Sequence, residues 1–135
     1  MPGGPTEIGI VYFSAVKLVG YSAAGLYLNR VEHTTRPHPL AFGVVRTVVG
    51  IAAGISYAFL LSGFAISNQE ITFYAGLIPI RIIEWLVLLW LFYRGAENIE
   101  TKRWKYVVLG VLWSYALDLP AVFAAFVLPG GFWIC

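Results

Sequence analysis

Five ionisable residues stand where apolar side chains are expected. Lys17, Arg46, Arg81, Glu84 and Asp118 each interrupt a long run of aliphatic and aromatic residues. A charge at the centre of a bilayer costs about 2.5–3.5 kcal/mol on insertion scales. Such groups are expected to face inward, to pair with opposite charges and to mark a functional position. Arginine suits anion recognition, because its planar guanidinium grips a carboxylate or phosphate with two hydrogen bonds. The two acids can orient the bases, or act as general base or counter-ion. Beside cations a carboxyl is held ionised, which makes it a poor proton donor. Lys17, Arg81, Glu84 and Asp118 lie near the midpoints of their runs and sum to zero charge. Arg46 lies about two helical turns in from one end of its run and brings the total to +1.

The neighbours of these charges recur at helical spacing. Ser14, Lys17 and Tyr21 are three and then four residues apart, so they share one helix face. Gly43, Arg46, Thr47, Gly50, Gly54 and Tyr57 fall on one side of a second helix. Arg81 and Glu84 are three apart and within reach of each other, with Trp85 on the same side. Gly110, Ser114 and Asp118 are spaced by fours. Each of four helices therefore offers one polar stripe at a similar depth. Pro79 and Pro120 stand two residues from Arg81 and Asp118. Each frees a carbonyl four residues back, at Ala75 and Ala116, which a buried cation could serve.

The elements that must hold these stripes are membrane helices. The chain has 135 residues, 59% hydrophobic and only 12% charged, with mean hydropathy +0.77. Soluble domains carry about 25% charged residues. The polar material cannot cover a water-soluble globule, which excludes a soluble enzyme, a disordered tail and a nucleic-acid module. Four runs are long enough to cross a bilayer: 7–28, 40–66, 71–93 and 105–128. Their short connections imply antiparallel neighbours. The expected fold is all-α: a single domain over 1–135, built as an up-down-up-down four-helix transmembrane bundle. Pro37 and Pro39 suit the start of the second helix, and Gly95 the end of the third. Ser67, Asn68 and Glu70 read as a tight polar turn, and Pro129-Gly130-Gly131 as the end of the fourth helix.

Six Lys and Arg residues lie at the loops: Arg30 and Arg36 in 29–39, Arg94, Lys102 and Arg103 in 94–104, and Lys105 at its edge. The positive-inside rule places both loops in the cytoplasm and both termini outside. The chain is then a multi-pass integral membrane protein, of the inner membrane in a bacterium. Trp90, Tyr93, Trp104 and Tyr106 suit a cytoplasmic aromatic belt, and Phe132 and Trp133 the outer one. Ser22-Ala23-Ala24 resembles a signal-peptidase site, yet MPGGPTE has no basic residue and Lys17 breaks the apolar run.

Other features carry less chemistry. Gly50-x-x-x-Gly54 is a helix-packing signature, inside the bundle or between subunits. His33 and His38 lie near Glu32 without the further ligands a metal site needs, so no metal is expected. The single cysteine, Cys135, excludes an internal disulfide and a CxxC centre. No P-loop, GxGxxG, HExxH or GxSxG motif is present. No residue pattern names a cofactor. The pattern favours binding of a small anionic or amphiphilic ligand, such as a lipid headgroup. Lys17, Tyr21, Arg46, Arg81, Glu84, Ser114 and Asp118 would form the site. Three alternatives are an accessory subunit of a larger membrane complex, proton- or ion-coupled transport, and an intramembrane enzyme. In the last, Glu84 or Asp118 would be the base for a lipophilic substrate. The expected partners are membrane lipid and either a second copy of the chain or another membrane subunit, with no nucleic acid.

Overall fold

A computed structural model describes residues 7–34, 38–63 and 69–127. Helices α1 (Glu7–Val31), α2 (Pro39–Ser62), α3 (Gln69–Tyr93), α4 (Glu97–Thr101) and α5 (Arg103–Val127) follow one another, with no strand among the described residues. Three segments are long and apolar enough to cross a membrane: Val11–Val31, Pro39–Leu60 and Ala75–Tyr93. The fourth long helix, α5, carries Arg103, Lys105 and Asp118 and matches α1 and α3 at 25 residues. A helix of that length spans about 37 Å.

Local chemistry sets the helix ends. Pro39 opens α2, where a missing N–H is harmless. His38 caps it, its Nδ1 accepting the Leu40 N–H at 3.3 Å. Beyond α1 the chain turns through His33 at φ 50°, and beyond α3 through Gly95 at φ 86°. The expected loop at 94–104 contains α4, a helix too short to leave a periodic trace. Ile99 anchors it, buried to 1% exposure, and Thr101 Oγ1 donates to the Glu97 carbonyl at 2.7 Å. Glu100 Oε1 accepts the Gly95 N–H at 3.0 Å. Pro79 and Pro120 lie inside helices that continue past them. The expected turn at Ser67 and Asn68 and the stop at 129–131 lie outside the described residues, as do Phe132, Trp133 and Cys135.

The four long helices close into a ring. α1 packs on α2, α2 on α3, α3 on α5 and α5 back on α1, with α1–α2 the most extensive seam. Phe42 at the start of α2 meets Phe92 and Tyr93 at the end of α3, with ring centroids 5.6 and 6.1 Å apart. It also fills the space beside Gly25 near the end of α1. Successive helices therefore run in alternating directions. Two helix backbones come close at Gly43, where any Cβ would meet the Ser22 backbone nitrogen at 2.9 Å and the Leu18 carbonyl oxygen at 3.0 Å.

An apolar core that includes Phe42, Leu88, Leu89 and Val107 is joined inside by charged groups, and the exterior is apolar too. Large apolar side chains such as Val19, Phe59, Leu112 and Phe123 point outward, while Lys17, Arg46, Arg81, Glu84 and Asp118 are buried. Long apolar helices with an apolar exterior and paired charges buried among them fit a membrane protein. Trp90 and Trp104 are exposed, as a membrane-interface belt requires. Tyr93 and Tyr106, expected beside them in an aromatic belt, are not placed to join one. Both are buried, and the Tyr93 hydroxyl donates to Asn29 Oδ1 at 2.7 Å, with the Gly25 carbonyl at 3.3 Å.

Candidate functional site

Each long helix delivers part of one polar network. Lys17 and Tyr21 come from α1, Arg46 from α2, Arg81, Glu84 and Trp85 from α3, and Ser114 and Asp118 from α5. Lys17, Arg46 and Arg81 are at most 2% exposed, and Glu84 and Asp118 at most 8%. Periodicity explains the convergence: each helix places its polar residues one turn apart on the single face turned to the ring centre.

Asp118 is shared by two cations. Lys17 Nζ bonds its Oδ1 and Arg81 Nη2 its Oδ2. Glu84 belongs to a different pair, accepting from Arg46 Nη2 at 2.7 Å. The contact expected between Arg81 and Glu84 on their own helix is therefore replaced by two contacts to other helices. The freed carbonyls of Ala75 and Ala116 are not what draws Arg81 in; its guanidinium goes to Asp118.

Ser114 and Tyr21 join the two groups. The Ser114 hydroxyl donates to the Gly110 carbonyl at 2.9 Å. Its oxygen faces Trp85 Nε1 at 3.0 Å, the Tyr21 hydroxyl at 3.2 Å and Arg46 Nη2 at 3.4 Å. A hydroxyl oxygen has two lone pairs, so three donors compete for two places, and Arg46 is the most distant. The Tyr21 ring lies between cations, 4.7 Å from Arg46 Cζ and 5.7 Å from Lys17 Nζ. Arg81 Cζ sits 4.1 Å from the centre of the Tyr115 ring. Aromatic faces attract cations most strongly where water is excluded.

The network is short of acceptors. Among the described residues, Arg46 Nε, Arg46 Nη1 and Arg81 Nη1 are buried without a hydrogen-bond partner. The ion pairs leave three cations facing two carboxylates, a surplus of one positive charge. A buried donor left unpaired costs about 1–3 kcal/mol, and more when charged.

All seven residues singled out from the sequence meet in this network. Ser14, expected on the same stripe as Lys17, is half-buried outside it. Tyr115 and Phe13, whose ring centre is 5.0 Å from Lys17 Nζ, were missed. Aromatic residues are too frequent in this chain to signal a cation platform by type alone. Gly50 has a role other than the helix packing expected of it. A Cβ there would come within 2.9 Å of Arg46 Nη1, so the missing side chain gives the guanidinium room on its own helix. His33 is exposed and His38 caps α2; among the described residues no group of three or more His, Cys, Asp or Glu could hold a metal.

No family model matches the sequence, and no match to it was found among curated proteins or solved structures.

Proposed function

We propose that this chain is an integral membrane protein whose four long helices all cross the bilayer and enclose a site for a small anionic or amphiphilic ligand. Arg46 and Arg81 grip the anionic group, Lys17 adds charge, and Glu84 and Asp118 hold the three bases in place. Tyr21 and Ser114 orient the guanidinium of Arg46. The observation that supports this reading is the set of three buried guanidinium nitrogens without acceptors, in a network carrying one surplus positive charge. An anionic headgroup would supply both the acceptors and the missing charge.

The bundle reading rests on length and on the matching of charges. α5 is as long as α1, and Asp118 gives Lys17 and Arg81 a counter-ion inside the ring. The six peripheral Lys and Arg residues support loops 29–39 and 94–104 in the cytoplasm, with both termini outside. Pairing within one chain also weakens the case for an accessory subunit, whose buried charges would be matched by another protein.

Native mass spectrometry of protein extracted gently from its own membrane tests the ligand reading. An anionic small molecule should co-purify and should be lost in Arg46→Gln and Arg81→Gln while the protein remains helical and monodisperse. Full retention of that molecule by both variants, or its absence from the folded parent protein, defeats the reading.

A further inference from the structure

A second polar site lies away from the charged network, at the end of the ring where α1 and α3 terminate. Glu32, Thr34, Phe92, Tyr93, Arg94 and Ala96 are among the residues lining a cavity of about 250 Å³ there. Three features give it a defined chemistry. Glu32 Oε1 is buried and has no hydrogen-bond partner. The carboxyl ends of α1 and α3 both point toward this end, and each brings the negative pole of a helix dipole. Arg94 lies on the opposite side of the charge balance: it is exposed, and its guanidinium rests over the exposed Trp90 at 5.3 Å. The cavity thus joins a cation-seeking carboxylate to a nearby anion-seeking guanidinium. Its floor is fixed, because Tyr93 is tied to Asn29 and to the Gly25 carbonyl of α1.

A ligand that satisfies both halves has a hydrogen-bonding ammonium close to an anion. The unpaired Glu32 oxygen asks for an N–H donor, which a quaternary ammonium cannot offer. The outward-facing Trp90 beside Arg94 is typical of the membrane–water interface, where phospholipid headgroups lie. We propose that this cavity binds the headgroup of phosphatidylethanolamine, with the ammonium on Glu32 and the phosphate on Arg94. The site is independent of the anion site among the midspan charges.

The test titrates purified protein in detergent with phosphatidylethanolamine, phosphatidylcholine and phosphatidylglycerol of identical acyl chains, counted by native mass spectrometry. A charged hydrogen bond gained or lost corresponds to about tenfold in affinity. Phosphatidylethanolamine should bind about tenfold more tightly than either competitor. Glu32→Gln should remove that preference and Glu32→Asp should keep part of it. Arg94→Gln should weaken phosphatidylethanolamine and phosphatidylcholine alike and leave their order unchanged. Arg81→Gln, which disables the central site, should leave the preference intact. Equal binding of the three lipids by the parent protein overturns the proposal, and so does a preference that survives Glu32→Gln. Should the Glu32 variants fail to fold, the ranking on the parent protein still decides. Free O-phosphoethanolamine competing as well as the lipid would overturn the assignment to a membrane lipid.

Discussion

At the residue scale, the ion pairs are coupled in a way that single substitutions expose. Removing one partner of a buried pair leaves an uncompensated charge and costs about 3–5 kcal/mol. Asp118→Asn strips the carboxylate from Lys17 and Arg81 together. It is expected to destabilise the protein by at least that amount, read from denaturant unfolding in detergent. Glu84→Gln leaves Arg46 without its counter-ion. Adding Arg46→Gln to Glu84→Gln should recover much of the loss, giving a double-mutant coupling of about 0.5–3 kcal/mol. Gly50→Ala is the most local probe. Its methyl group would push Arg46 Nη1 aside, so weaker ligand retention is expected with little loss of stability. Chemical type and depth made the seven network residues legible in the sequence. Their partners were not legible. Arg81 and Glu84 lie three apart and can touch, and only the order of helices around the ring decides that each reaches elsewhere.

At the element scale, the close seam between α1 and α2 depends on Gly43. An alanine there meets the Ser22 backbone at 2.9 Å, and backbone cannot swing aside as a side chain does. Gly43→Ala should therefore push the two helices apart and lower the unfolding midpoint in detergent. Alanine at the exposed Val48 on the same helix should change it little. The long helices were readable because their apolar runs exceed 20 residues and their boundaries carry proline and glycine. α4 was not, since five residues give no periodicity and Ile99 is its one buried residue. Tyr93 and Tyr106 misled for a related reason. An aromatic residue at a helix end suits the membrane interface and the bundle interior equally well, and rotation about the helix axis chooses between them.

At the scale of the whole molecule, the proposed topology puts the turn after α1 and the turn after α2 on opposite sides of the membrane. Two single-cysteine variants, His33→Cys and Gly63→Cys, each in a Cys135→Ser background, report on it. In intact cells a membrane-impermeant thiol reagent should label Gly63→Cys and spare His33→Cys until the cells are opened. The reverse pattern would invert the orientation, and labelling of both would break the four-span reading. The proposed orientation rests on charge placement: both proposed inner loops are basic and the segment joining α2 to α3 has no Lys or Arg.

The bond between Lys17 and Asp118 also imposes an order in time. The two residues are 101 positions apart, and Arg81 precedes Asp118 by 37. Chains grow from the N-terminus at about 5–20 residues per second. In the proposed bundle, Lys17 has entered the membrane seconds before its counter-ion exists, and Arg81 waits for the same carboxylate. The early helices are thus held in a provisional state, with a cation that must stay near water or be sheltered by the insertion machinery. α5 brings the carboxylate that neutralises both at once, so a chain halted before α5 would hold two uncompensated buried cations.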